Sequence, residues 1–106
     1  MNQRDGQVLS DEQLKGVLEA QTGAKVQPAD LEAVIVGEQY HQHAGTLMIT
    51  CVLTLKNGFN VSGESACASP EIFDEAVGKS IARRNAKDKL WSLLGYQLKE
   101  KLSMIE

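Results

Sequence analysis

Aromatic residues are scarce, with two Phe, two Tyr and one Trp in 106 residues. Trp91 and Tyr96 therefore read as core or interface anchors rather than as a platform for stacking nucleobases. No apolar run approaches the ~18–20 residues of a membrane-spanning helix. The opening residues, MNQRDGQ, carry no apolar stretch of the signal-peptide type, so the cytoplasm is the expected compartment. The two cysteines, Cys51 and Cys67, form no CxxC, and in a reducing compartment both are expected to stay free thiols. No Cys/His pair has zinc-finger spacing, and His41-Gln42-His43 reads as loop histidines, so no metal is expected. Neither GxxxxGK nor GxGxxG occurs, which removes the common glycine-loop phosphate sites, and no cofactor is expected.

What is present is a balanced, slightly acidic composition. The hydrophobic share is 42%, the charged share 24% and the net charge −3. That fits one folded domain over 1–106 with a loose start at 1–9, and it argues against generic duplex DNA as partner. The positive charge is clustered. Five of the eleven Lys/Arg lie in 79–89: Lys79, Arg83, Arg84, Lys87 and Lys89. One concentrated basic segment on an acidic chain suggests a local anion site. A core this small also favours burying more surface by self-association.

Ser10-Asp11-Glu12-Gln13 is a capping box, and Leu14, Val17 and Leu18 follow at helical spacing, giving a helix over about 11–22 that stops at Gly23. Pro28-Ala29-Asp30 reads as a turn or a single helical turn. A strand from Leu31 to about Tyr40 is the preferred assignment, with a helix reaching Ile35 as the alternative. His41 to Gly45 is expected as loop. Leu47–Leu55 (LMITCVLTL) is the clearest strand, and Asn57-Gly58 is a hairpin signal leading into a return strand over Phe59 to about Ser65. A two-residue loop there pairs Thr54 with Val61. Phe59 and Val61 then share the face of Val52 and Met48, while Leu47, Ile49, Cys51, Leu53 and Leu55 form the other. Both faces of the sheet would be apolar, one of them free for a second subunit.

Ser69-Pro70-Glu71 then opens a long helix, with Ser69 as N-cap and Pro70 at its first position, broken or kinked near Gly95. The expected fold is α+β: a short N-terminal helix, a three-stranded antiparallel sheet with an Asn-Gly hairpin, and a long C-terminal helix. On a wheel of about 100° per residue, Ile72, Phe73, Ala76 and Val77 share a face with Leu90, Trp91 and Leu94. Ser80, Arg83, Arg84 and Lys87 interrupt that face. Either their stems pack while their charges reach water, or the gap holds an anion, which Arg grips through its planar fork.

Gly63-Glu64-Ser65-Ala66-Cys67 has a serine and a cysteine in a strand-to-helix turn. It is G-x-S-x-C, not the G-x-S-x-G elbow of hydrolases, and no base is fixed beside it. A Ser/Cys hydrolase is the minority reading. Close backbone approach at Gly63, a satisfied hydroxyl at Ser65 and small-residue packing at Cys67 are the bland alternatives.

The segment LTLKNGFNVSGESACASPEIFDEAVGKSIARRNAKDKLWSLLGYQLKEKL, Leu53 to Leu102, resembles a family of small tailed-phage proteins of the gene-product-forty-nine and gene-sixty-six type. LKNGF, GESAC, the Phe-Asp-Glu after Pro70, and KLW-x-L-x-GY carry the resemblance. Ala68-Ser69 stands where a Val/Asp pair is usual, and Ser92-Leu93-Leu94 where Pro-Leu-Glu is common. That family is similar in turn to the phage Thoeris anti-defence-one proteins, sponges that hold cyclic ADP-ribose isomers, and in some cases cyclic oligonucleotides, without cleaving them. The resemblance implies a non-enzymatic homo-oligomer, dimeric or hexameric, whose partner is a cyclic nucleotide. The residues themselves suggest Arg83, Arg84 and Lys87 for phosphates, Phe73 or Phe59 for stacking, and Ser65 and Ser69 for hydrogen bonds. A phage adaptor that docks a host protein through the free sheet face is the alternative.

Overall fold

The computed structural model describes residues 8–21 and 23–105. The loose start falls outside the described residues over 1–7, as does the expected helix position Thr22. Helix α1 (Asp11–Ala20) is followed by α2 (Pro28–Val34), strands β1 (Ile35–Gln42), β2 (Met48–Leu55) and β3 (Asn60–Ala66), a 3-10 turn at Pro70–Ile72, α3 (Glu75–Asp88) and α4 (Leu90–Ile105). The sheet is antiparallel in the order β1-β2-β3. This is the expected α+β architecture, with a long, bent C-terminal helix made of α3 and α4.

Local chemistry explains most boundaries. The Ser10 hydroxyl accepts the Gln13 N–H at 3.2 Å and the Gln13 side chain accepts the Ser10 N–H at 2.9 Å, which closes the capping box of α1. Pro28 starts α2 at a position where no N–H is needed, and Asp30 accepts the Gln27 N–H at 2.8 Å. The stretch Leu31–Val34 is thus helical rather than strand, and β1 begins at Ile35. At its far end β1 runs through His41 and Gln42, which had been assigned to loop. Both shifts follow from tertiary pairing: Leu31 is fully buried as a helical anchor, and His41 and Gln42 find partners in Thr50 and Ile49.

The hairpin register also differs from expectation. Three residues, Lys56, Asn57 and Gly58, form the loop. The Gly58 N–H donates to the Leu55 carbonyl at 2.8 Å, and the Leu55 N–H donates to the Phe59 carbonyl at 2.9 Å. Gly58 sits at φ +89°, the left-handed region where glycine costs least. The extra residue moves Val61 opposite Leu53 and Asn60 opposite Thr54. Val61 therefore joins Ile49, Cys51, Leu53 and Leu55 in the core. The other face carries Gln39, His41, Thr50, Thr54, Asn60, Ser62 and Glu64 around Met48 and Val52. The expectation of a sheet apolar on both faces came from the wrong register.

The long helix is built differently too. Ser69 and Pro70 open only the 3-10 turn. The helix proper starts after Asp74, whose carboxylate accepts the Val77 N–H at 3.1 Å. The bend comes at Lys89, whose N–H takes the Ala86 carbonyl in a tightened turn at 3.2 Å, and Gly95 lies within α4. The face turned to the sheet is not the stripe of large residues. It is Gly78, Ala82 and Ala86, about 150° away around the helix. A Cβ added at Gly63 would lie 2.2 Å from the Ala86 nitrogen and 2.6 Å from the Ala82 carbonyl oxygen. The α3 backbone thus rests directly on β3, and only small residues on both sides allow it. Leu90 and Leu31 close the core beyond the sheet.

Candidate ligand-binding site

The expected cations separate into two groups. Arg83 points across the core-facing side of the sheet edge to carboxylates from α2 and β1. Its Nη1 and Nη2 donate to the two oxygens of Glu32 at 3.0 and 2.9 Å, and its Nε donates to Glu38 at 2.9 Å. Lys87 Nζ lies 2.8 Å from Glu32. The other oxygen of Glu38 accepts the Tyr40 hydroxyl at 2.9 Å, and Lys79 Nζ stands 5.7 Å from the centre of the Tyr40 ring. All three nitrogens of the Arg83 guanidinium are engaged, in the planar forked geometry that suits arginine to carboxylates.

These contacts shift the groups in opposite directions. The Arg83 hydrogen bonds, and then that of Lys87, hold the Glu32 carboxyl at about 2 instead of 4.5. Arg83, then Tyr40, lowers Glu38 as well. Burial first, and the bond to Glu38 second, pushes the Tyr40 hydroxyl up, and Glu32 and Glu38 push Arg83 up. The set behaves as a clamp that fastens α2 and β1 to α3. Arg83 and Lys87 thus hold acidic partners within the chain.

Arg84 faces the other way. Among the described residues it has no acidic partner. It lines a shallow hollow of about 410 Å³ with Ala76, Val77, Ser80 and Ile81. Val77 and Ile81 are shared with a deeper hollow of about 280 Å³ under the 3-10 turn, where Leu47, Ser65, Cys67, Phe73 and Gly78 meet. Ser65 and Phe73 therefore come together, with Arg84 and Ser80 on the adjoining rim. The Ser65 hydroxyl donates to the Gly78 carbonyl at 2.8 Å, and the Ser80 hydroxyl donates within its own helix to Ala76 at 2.9 Å.

Two expected site residues stand apart. Phe59 is 55% exposed at the hairpin end of β3, about 20 Å along the strand from Ser65. Ser69 accepts the Glu71 N–H at 3.2 Å and also bonds the Glu71 carboxylate, so its hydroxyl is committed to the turn. The N-terminus of α3 is likewise taken up by the Asp74 carboxylate.

The hydrolase residues are not brought together. Ser65 pairs with Ile49 on the core face, whereas His41 pairs with Thr50 on the other. His43 Nε2 lies 2.7 Å from the Thr50 hydroxyl, and its ring meets that of His41 edge-on at 4.6 Å. The Cys67 thiol contacts the Ser69 carbonyl at 3.2 Å. Among the described residues no group of three or more His, Cys, Asp or Glu is placed to hold a metal ion, and no helix is long and apolar enough to cross a membrane.

The sequence reading missed Glu32, Glu38 and Tyr40 as partners of the basic segment, and Gly78 as the floor of the deeper hollow. The four-residue spacing of Gly78, Ala82 and Ala86 was a usable signal for the helix face. The acidic partners, 45 and 51 residues from Arg83, left none.

Residues 26–102 match the model of the phage protein (N4 Gp49/phage Sf6 gene 66) family. The chain belongs to this phage family. The matched stretch holds the whole sheet, the clamp, both hollows and nearly all of α4, while α1 lies outside it. No curated protein and no solved structure matches the chain.

Proposed function

We propose that this phage protein works by holding a small cyclic nucleotide immune signal, a cyclic ADP-ribose isomer or a cyclic oligonucleotide, without cleaving it. The observation that carries this reading is the apolar hollow of Ser65 and Phe73 opening onto the rim of Arg84. A base fits against the Phe73 ring in the apolar part, and a phosphate fits the Arg84 guanidinium at the edge. The hollow itself, about 280 Å³, falls just below the ~300–1,000 Å³ of small-molecule sites, so the proposed ligand also occupies the Arg84 rim.

The clamp has a supporting part in this proposal. By tying up Arg83 and Lys87 it holds α3 rigid over the sheet, and a preformed site loses less on binding. The choice of ligand class, and of sequestration over turnover, follows the resemblance to Thoeris anti-defence-one sponges noted in the sequence motifs. Titration calorimetry with cyclic ADP-ribose isomers and with cyclic di- and trinucleotides tests it. One of them is expected to bind tightly, raise the melting temperature and come back intact after the protein is denatured. The absence of both heat and thermal shift at millimolar ligand rejects the proposal, and recovery of cleaved ligand replaces it with the hydrolase reading.

A further inference from the structure

Helix α1 is the least anchored element of the fold. It buries none of its ten residues, and no residue of α1 belongs to the hydrophobic core or to the apolar residues packed on it. Leu14 and Leu18 are each 45% exposed. With Val17 they fall within an arc of about 100° on the helix, the stripe of a helix that packs on an apolar surface. Helix α4 offers such a surface. Of its sixteen residues only Leu90 is buried. Beside α4 runs a groove made of two adjoining hollows, about 250 and 580 Å³, which share Lys25 and Val26. Leu94, Leu98 and Lys101 line one hollow, and Leu18 and Trp91 line the other. The described chain is drawn out, with a radius of gyration of 17.6 Å against about 13 Å for a compact chain of 100 residues.

The C-terminal end of α1 is already fastened beside this groove. Lys25 Nζ donates to the Leu18 carbonyl, one of the acceptors that a helix end leaves without an internal partner. At the other end the capping bonds, between Ser10 and Gln13, are local to α1. A helix held at Leu18 can therefore turn about that end. Because the fastened end lies at Trp91, the start of α4, a turn onto the groove lays α1 antiparallel to α4. The lengths agree. Ten residues of α1 and the run from Trp91 to Lys101 each span about 15 Å at 1.5 Å per residue. Leu18 then rests on Trp91, and Leu14 falls between Leu94 and Leu98. The charges agree as well. The acidic first turn of α1, Asp11 and Glu12, arrives at Lys99 and Lys101, which have no acidic partner among the described residues.

We propose that α1 is a strap that closes along the α4 groove of its own chain, antiparallel to α4, and covers Trp91. Closure hides the apolar groove, and opening presents it. Apolar burial drives the closing, and the Asp11 and Glu12 contacts with Lys99 and Lys101 set its direction. The strap lies outside residues 26–102 that match the family, and the inference does not rest on the ligand reading.

Trp91 is the chain's single tryptophan, so its fluorescence reads the strap directly. Leu14→Asp changes a residue that does not line the Trp91 hollow in the open position. It is expected to shift Trp91 emission to longer wavelength and to raise its quenching by acrylamide, relative to the parent chain. Asp11→Lys, Glu12→Lys is expected to produce the same shift, and adding Lys99→Glu, Lys101→Glu is expected to reverse it. In a Cys67→Ser background, Leu14→Cys with Leu98→Cys is expected to be joined by a short bis-maleimide within one chain. Leu14→Cys with Leu93→Cys, which lies on the opposite side of α4, is expected not to be. A Trp91 equally accessible in the parent and in Leu14→Asp overturns the proposal. So does a charge exchange that fails to restore the parent spectrum, or a cross-link that forms between chains or equally at positions 93 and 98.

Discussion

Gly63 of β3 lies directly beneath Ala86 of α3, so closely that a methyl group on Gly63 would stand 2.2 Å from the Ala86 backbone nitrogen. Gly63→Ala therefore pushes the helix backbone off the sheet and is expected to cost about 3 kcal/mol or more in urea unfolding. Gly78→Ala is expected to cost less. Its new methyl would meet the Ile49 Cδ1 at 2.8 Å and the Ser65 hydroxyl at 3.4 Å, side-chain atoms that can turn away. Equal costs at the two positions would contradict this account of the helix–sheet contact.

The clamp makes stability depend on acid. Glu32 titrates at about 2 in the folded chain and near 4.5 when free of its partners. Its folded form holds the negative charge more firmly, so its contribution is complete above about pH 4.5 and is lost as pH falls from there towards 2. Glu38, shifted in the same direction, adds to the loss. Thermal unfolding from pH 6 to pH 2 is expected to show this decline, and Glu32→Gln is expected to flatten it.

Tyr40 sets the alkaline side. Its hydroxyl is raised above the ordinary 10 by burial and by Glu38, so the folded chain favours the neutral form. Stability from this group is whole below pH 10 and declines as pH rises beyond it. Tyr40→Phe is expected to reduce that alkaline decline, as followed by denaturant midpoints at pH 9 to 11.

Arg83 and Arg84, neighbours in sequence, are expected to separate in their effects. Arg83→Met unlocks α2 and β1 from α3 and costs about 1 kcal/mol, a modest figure because water screens the pairs. Arg84→Glu is expected to leave the melting temperature within a degree or two and to weaken cyclic-nucleotide binding tenfold or more. The reverse pattern would shift the proposed phosphate contact to the clamp.

Ser65→Ala removes the hydrogen bond to the Gly78 carbonyl and is expected to cost about 1 kcal/mol of stability. On the sequestration reading the variant still returns its ligand intact, as does Cys67→Ala. Ligand turnover by the parent chain that disappears in either variant would favour the hydrolase reading instead.

Much of the fold was legible because its signals are local. The Ser10 capping box, the apolar run of β2 and the Asn57-Gly58 turn each act within a few residues, whereas Pro28, read as a turn, opens a helix that only the burial of Leu31 explains. The hairpin register was not legible in the same way, because two- and three-residue loops both use this pair and differ only in the partner Gly58 finds. The helix face escaped for another reason. A wheel weighted to large side chains points at Phe73, Val77 and Trp91, whereas the close contact with Gly63 is made by residues with almost no side chain. Of the candidate site, Ser65 and Phe73 share one hollow beside the start of α3 and Arg84 lines the adjoining one, while the sequence alone also assigned it Arg83, Lys87, Phe59 and Ser69.

The sequence by itself determined α1, the strands β2 and β3 and a long C-terminal helical region, the α+β class, and the concentration of positive charge on α3. Its motifs also pointed to the phage family. Only the tertiary structure decided which cations are already satisfied. Arg83 meets Glu32 and Glu38 because folding carries α2 and β1 against α3, and a pairing across 45 or 51 residues leaves no local trace in the chain. Arg84, one residue further on, points about 100° away around the helix, and that rotation separates a structural arginine from one open to a ligand.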